Sequence, residues 1–206
     1  MIVSSWLSNN YIEVFGAITG IIYVFLEIRQ TIWLWPVGII TSAVYIWVFF
    51  TSKFYADMSL QGYYLVISCL GWYWWARRIN GRQGDGEKRT LQVTRLKLRT
   101  GVVLGIVFVL LYAIMWLVLS RFTDSPVPGW DSFLTSLSIV ATWMLARKIY
   151  EHWLLWIVVN SVSAVLFLTK GLYPTVILYV VYGIMSFAGL AAWKKTIRYD
   201  LSISEK

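Results

Sequence analysis

Trp153, Trp156 and Asn160 stand at i, i+3 and i+7, a spacing that keeps all three on one face of a helix. Gln61, Tyr64, Ser68, Trp72 and Trp75 make a second helical stripe, and Tyr179, Tyr182, Ser186 and Trp193 a third. Trp35, Ser42 and Tyr45 share a face on another segment. Indole and phenol rings attract a cation by roughly 0.5–2 kcal/mol each, most when water is excluded. Asn and Gln pair with amide and hydroxyl groups. Such a set suits a flat, cationic aromatic solute that carries a polar part. An inorganic anion fits poorly, because no Arg or Lys falls in mid-segment. Each residue also has a plainer reading. An amide about seven residues into an apolar helix must find a partner in protein, water or ligand, and an interhelical hydrogen bond would serve. Trp72, Trp74, Trp75 and Trp193 lie beside basic residues and fit an interfacial aromatic belt.

The elements that position these residues are apolar. Of 206 residues, 59% are hydrophobic and the mean hydropathy is +0.66. Helices are expected at roughly 11–29, 33–51, 58–77, 101–120, 131–150, 153–169 and 173–193, each near the ~20 residues that cross a bilayer. In hydrocarbon the backbone must satisfy its own hydrogen bonds, which favours helices over open sheets. The ~10-residue alternating segments of a membrane β-barrel are not seen. The expected fold class is therefore an all-α polytopic membrane protein with seven transmembrane helices.

The last three helices echo the first three. Trp35 to Val44 reads WPVGIITSAV and Trp156 to Val165 reads WIVVNSVSAV; after a three-residue difference in spacing, Tyr55–Trp75 aligns with Tyr173–Trp193. In this alignment Ile39 stands opposite Asn160. The organisation is three helices, a linker helix, then three again, a mark of transporters. The expected divisions are 1–77 for the first triplet, 78–130 for a linker with its own helix near 101–120, and 131–206 for the second triplet. Gly81, Gly84 and Gly86 break the polar linker, whose end reads as a short amphipathic stretch. GAITG at Gly16–Gly20 and GVVLG at Gly101–Gly105 fit close helix packing.

Eighteen Lys and Arg against ten Asp and Glu give a net charge of +8. The basic residues sit in loops and tails, so they describe orientation rather than nucleic-acid binding. With seven spans, Lys53, Arg121 and Lys170 fall on one side and the other fifteen on the opposite side. That places the amino terminus outside and the carboxyl terminus in the cytoplasm, with both triplets in the same orientation about an axis along the membrane normal.

Other chemistries find little support. Cys69 has no partner cysteine, His152 alone builds no metal site, and no cofactor is expected. The start carries no basic residue before its first apolar run, unlike a cleavable signal peptide. A seven-helix photoreceptor needs a Lys in the middle of the last helix, whereas Lys170, Lys194 and Lys195 flank it. A membrane enzyme needs a nucleophile–base pair or metal cluster. No glycine-rich phosphate loop is present. Glu27 and Asp57 lie near helix ends, and the lack of acids in mid-span favours uncoupled, downhill passage over proton or sodium coupling.

WPVGI at Trp35–Ile39, FYADMSLQ at Phe54–Gln61, Gln61-x-x-Tyr64 followed by Gly71-Trp72-x-x-Trp75, and Trp153-x-x-Trp156-x-x-x-Asn160 followed by KGLYPT at Lys170–Thr175 together resemble the PnuC family of vitamin transporters. The resemblance covers nearly the whole chain except 78–100. It implies a seven-helix, pseudo-twofold fold in the cell inner membrane and import of nicotinamide riboside, or of thiamine as in the PnuT branch. It implies uncoupled facilitation, with a cytosolic kinase trapping the product by phosphorylation without having to bind the carrier. Substrate contact by Trp153, Trp156, Asn160, Gln61 and Tyr64 is what the family motifs imply; Tyr182, Trp35, Tyr45 and Tyr179 join them as lining candidates. A homo-oligomer is compatible with the sequence.

Overall fold

The computed structural model describes residues 11–51, 55–79, 92–123 and 126–204. Seven α-helices run through them: α1 Tyr11–Ile28, α2 Leu34–Thr51, α3 Tyr55–Ile79, α4 Leu98–Phe122, α5 Pro128–Ala146, α6 His152–Thr169 and α7 Tyr173–Ser204. Among the described residues α2, α4, α6 and α7 are each long and apolar enough to cross a membrane. No strand forms there beyond one isolated bridge, between Thr94 and Ile149. The chain divides into two compact units, Met1–Lys88 and Arg89–Lys206. The linker glycines Gly81, Gly84 and Gly86 lie outside the described residues.

In the first unit α1 packs on α2 and α2 on α3. Close approach needs small residues. A Cβ on Gly16 would collide with the Tyr45 ring, and one on Gly71 with the benzenoid edge of Trp35. A Cβ on Gly38 would stand 2.8 Å from Ser68 Oγ and 3.1 Å from the Tyr23 ring. GAITG is therefore a packing motif at Gly16. GVVLG is not: a Cβ on Gly105 would meet open space, and one on Gly101 only Leu96 at ordinary range.

In the second unit α4 packs on α5, α5 on α6 and α6 on α7. No residue of α4 is buried. One side of it meets α5 through Leu104, Phe108 and Leu111, around the buried Val140, Met144 and Ile149; the rest is apolar and exposed, as a lipid-facing helix should be.

The turn that ends α1 recurs at the end of α5. Gln30 and Lys148 adopt left-handed backbone at φ 54° and 52°. Thr31 N–H donates to the Leu26 carbonyl at 3.1 Å and Gln30 N–H to that of Glu27 at 3.0 Å. Ile149 N–H donates to Met144 at 2.9 Å and Lys148 N–H to Leu145 at 2.8 Å. This is the Schellman closure of a helix C-terminus. Beside each turn an arginine covers a ring: Arg29 lies 5.4 Å from the Phe25 centroid and Arg147 5.8 Å from that of Trp143. The turn stops α5 at Ala146, short of the expected 150. It was hidden in the sequence because no glycine marks it.

Two further boundaries differ from expectation. The end of the linker, read as a short amphipathic stretch, is extended up to Lys97, and α4 starts at Leu98 rather than 101. Thr94 N–H donates to the Lys148 carbonyl at 3.0 Å, Tyr150 N–H donates to that of Thr94 at 2.9 Å, and Leu96 N–H donates to the Glu151 carboxylate at 2.8 Å. The backbone of 92–97 thus finds its partners on the α5–α6 turn. At the other end of the unit α7 continues past Trp193 to Ser204, so the charged tail begins as helix.

Candidate functional site

A constant 118 residues relates the two halves. It maps Gln30 to Lys148, Trp35 to Trp153, Ser68 to Ser186, Gly71 to Gly189 and Trp75 to Trp193. The geometry follows the same mapping. Trp35 and Trp75 meet edge-on at 5.3 Å and 90°, and Trp153 and Trp193 at 5.9 Å and 81°. Trp153 lies where a Cβ on Gly189 would be, as Trp35 does at Gly71. The expected three-residue difference in spacing is therefore removed. Trp35 corresponds to Trp153 rather than to Trp156, and Asn160 faces Ser42 in the mapping, not Ile39. The WPVGI and WIVVN strings had misled because both begin with Trp, while the packed residue is the Trp on a glycine.

Trp35 and Trp153 are 0% and 1% exposed. Both belong to helix packing at the start of α2 and α6. Their indole N–H groups are buried without a partner. His152 adds a third ring in the second unit: it lies 4.8 Å from Trp153 and 4.7 Å from Trp193, and its Nδ1 is 2.6 Å from the Ile149 carbonyl. The first unit has Leu34 there, also sealed.

About two turns further along α6 the polar residues begin. Asn160 is 6% exposed, and its Nδ2 donates to Ser186 Oγ of α7 at 3.1 Å. Ser186 Oγ in turn donates to the Tyr182 carbonyl at 2.8 Å. The interhelical bond considered for Asn160 is thus formed, and it fixes the amide. Trp156, four residues before Asn160 and half-buried, has a buried indole N–H with no partner. A buried donor left open costs free energy that a ligand acceptor would recover. Tyr179 meets Tyr182 edge-on at 6.0 Å and stacks on Phe167 at 5.2 Å, so α6 and α7 share a run of three aromatic rings.

The first unit carries the counterpart with different residues. Ser42 and Ser68 are buried in place of Asn160 and Ser186. Gln61 and Tyr64 are half-buried on α3, in place of Tyr179 and Tyr182, with Tyr64 5.6 Å from Tyr63. Tyr45 is half-buried against Gly16. Gly38 stands where the second unit has Trp156, and the ring beside it comes from Tyr23 of α1, whose counterpart is Ala141.

Two features escaped sequence reasoning. Tyr23 lay off every stripe considered, although Gly38 four residues into α2 leaves room for a ring. Glu27 is only 2% exposed, in the last turn of α1, where the second unit has Leu145. Of the expected belt, Trp72 is exposed and Trp74 half-buried, whereas Trp75 and Trp193 are buried against Trp35 and Trp153 and belong to helix packing.

A family model described as nicotinamide mononucleotide transporter matches residues 10–195. The nicotinamide riboside transporter PnuC of Escherichia coli (strain K12) is 27% identical, over 92% of this chain and 87% of that protein. The riboflavin/roseoflavin transporter RibM of Streptomyces davaonensis is 24% identical, over 91% and 86%. The crystal structure of the vitamin B3 transporter PnuC superposes with a TM-score of 0.73 at 23% identity, covering 96% of this chain and 86% of that one. The last likeness speaks for the fold.

Proposed function

Because the chain belongs to the nicotinamide mononucleotide transporter family, we propose that it carries nicotinamide riboside into the cell by ion-uncoupled facilitated diffusion. The observation that carries the reading is the Asn160 amide held by Ser186 Oγ at 3.1 Å, one turn along α6 from Trp156, whose buried indole N–H has no partner. Nicotinamide riboside offers a pyridinium cation, a carboxamide and ribose hydroxyls. The cation suits the ring faces of Trp156, Tyr179 and Tyr182. In the second unit the carboxamide and hydroxyls suit Asn160 and the indole N–H. Within the first unit Gln61, Tyr64 and Tyr45 offer the same types of group, an amide and phenol rings. Trp35 and Trp153, sealed in packing, contribute by holding α2 and α6 in place.

The amino terminus lies outside and the carboxyl terminus in the cytoplasm, by the three-to-fifteen division of Lys and Arg. Net uptake without an ion gradient requires removal of the product, and phosphorylation by a cytosolic kinase is the natural trap because the added negative charge finds no counter-charge in the neutral side chains of Asn160, Trp156, Tyr179 and Tyr182. The relatives named for nicotinamide riboside and for riboflavin both carry a flat ring joined to a polyol, which favours a ring-and-hydroxyl solute over thiamine.

The test is a binding titration of the purified protein, read by tryptophan fluorescence, with nicotinamide riboside, riboflavin and thiamine. Tightest binding is expected for nicotinamide riboside. Tighter binding of either other vitamin overturns the substrate assignment.

A further inference from the structure

We infer that the second unit binds the headgroups of anionic phospholipids through the strap formed by residues 92–97 and the first turn of α4 that continues it. Four observations carry this. The strap is extended and held in fixed register on the α5–α6 turn by backbone bonds of Thr94 and by the Glu151 carboxylate on Leu96 N–H. Val93 is buried and Leu96 packs on the core formed by Val140, Met144 and Ile149, so the strap does not hang free. Arg95, Lys97 and Arg99 are exposed on it. Leu98 among them is 85% exposed at the first position of α4, a helix apolar enough to span the bilayer.

An exposed leucine between cations at the mouth of a membrane helix matches the boundary between acyl chains and headgroups. Leu98 enters the apolar layer while the cations stay at headgroup level. The cations also stand at the positive end of α4, where no acidic residue occupies the first turn and the N-cap makes no side-chain bond; like charges there repel unless an anion intervenes. Arg147 lies exposed on the turn to which the strap is tied. The neighbouring acid, Glu151, is engaged by Leu96 N–H. Each cation near an anionic leaflet adds attraction that salt screens. The strap is tied by Thr94 and Leu96 to the turn that opens α6, so a bound headgroup steadies the helix that carries Trp156 and Asn160. The assignment of this end to the cytoplasmic leaflet rests on the orientation given above; the headgroup site itself does not.

The test uses the full chain in neutral detergent micelles titrated with phosphatidylglycerol, phosphatidylcholine or inorganic phosphate, read as the shift in melting temperature. Phosphatidylglycerol is expected to raise it and the other two to leave it unchanged. The variant R95Q/K97Q/R99Q should need roughly tenfold more phosphatidylglycerol for the same shift, while R95K/R99K should match the parent. Should the triple variant fail to fold, the parent in ~1 M salt serves instead, where screening should abolish the shift. An equal shift with inorganic phosphate, an unchanged triple variant, or a shift indifferent to salt would each overturn the proposal. Loss of nicotinamide riboside binding with the lipid shift intact would count against the proposed substrate alone.

Discussion

The benzenoid edge of Trp153 occupies the space that a Cβ on Gly189 would need. A glycine in the middle of a helix costs roughly 1 kcal/mol relative to alanine. Here it is retained because the ring of the neighbouring helix replaces its side chain, and α6 and α7 approach more closely than alkyl side chains would allow. Gly71 and Trp35 repeat the arrangement.

Gly189→Ala should therefore destabilise, against helix propensity, by about 1–3 kcal/mol through overpacking. Thermal unfolding in detergent checks it. Gly189→Ala combined with Trp153→Ala should be less damaging than the two separate losses summed, because the second change removes the collision created by the first.

Asn160→Ala removes an amide that Ser186 holds in place. Binding of nicotinamide riboside should weaken about tenfold or more, as expected for loss of a buried hydrogen bond to ligand, with insertion and yield unchanged. Trp156→Phe should keep ring surface but lose the indole donor, and so give a smaller loss. Equilibrium binding of the three proteins decides the order.

Glu27 is the buried acid at the end of α1, and a buried acid is where proton coupling would be sought. In proteoliposomes, uptake should proceed without a proton or sodium gradient and stop at equal concentrations on both sides. Glu27→Gln should leave that end point unchanged. Accumulation above the outside concentration in the parent, lost in the variant, would make Glu27 a coupling site.

Gln30 sits at φ 54°, where a β-branched side chain is strained. Gln30→Val should cost about 1–2 kcal/mol, and Gln30→Asn should be nearly neutral, since Asn tolerates left-handed backbone. The difference in melting temperature between the two variants reads the turn alone.

The seven helices were legible because apolar length is a strong pattern, and the family because Trp153-x-x-Trp156-x-x-x-Asn160 and Gln61-x-x-Tyr64 survive as strings. The register of the duplication was less legible. Trp35 and Trp156 look alike as letters, and only the seating of Trp35 on Gly71 and Trp153 on Gly189 shows that Trp153 is the counterpart of Trp35. The left-handed turns at Gln30 and Lys148 carry no glycine to announce them. Pairing of the 92–97 backbone with the α5–α6 turn is a non-local event, which the periodicity of the strap alone does not encode.

Tyr23 beside Gly38 in one unit, and by register Ala141 with Trp156 in the other, are exchanged volumes. Moving an indole into the first unit by Gly38→Trp would crowd a seat already taken by a phenol. Tyr23→Ala made at the same time would remove the phenol, and Ser68 Oγ, 2.8 Å from a Cβ at that position, would still have to shift. Engineers who wish to equalise the two halves must thus trade residues in couples, and chimeras assembled one position at a time will stall at unstable intermediates.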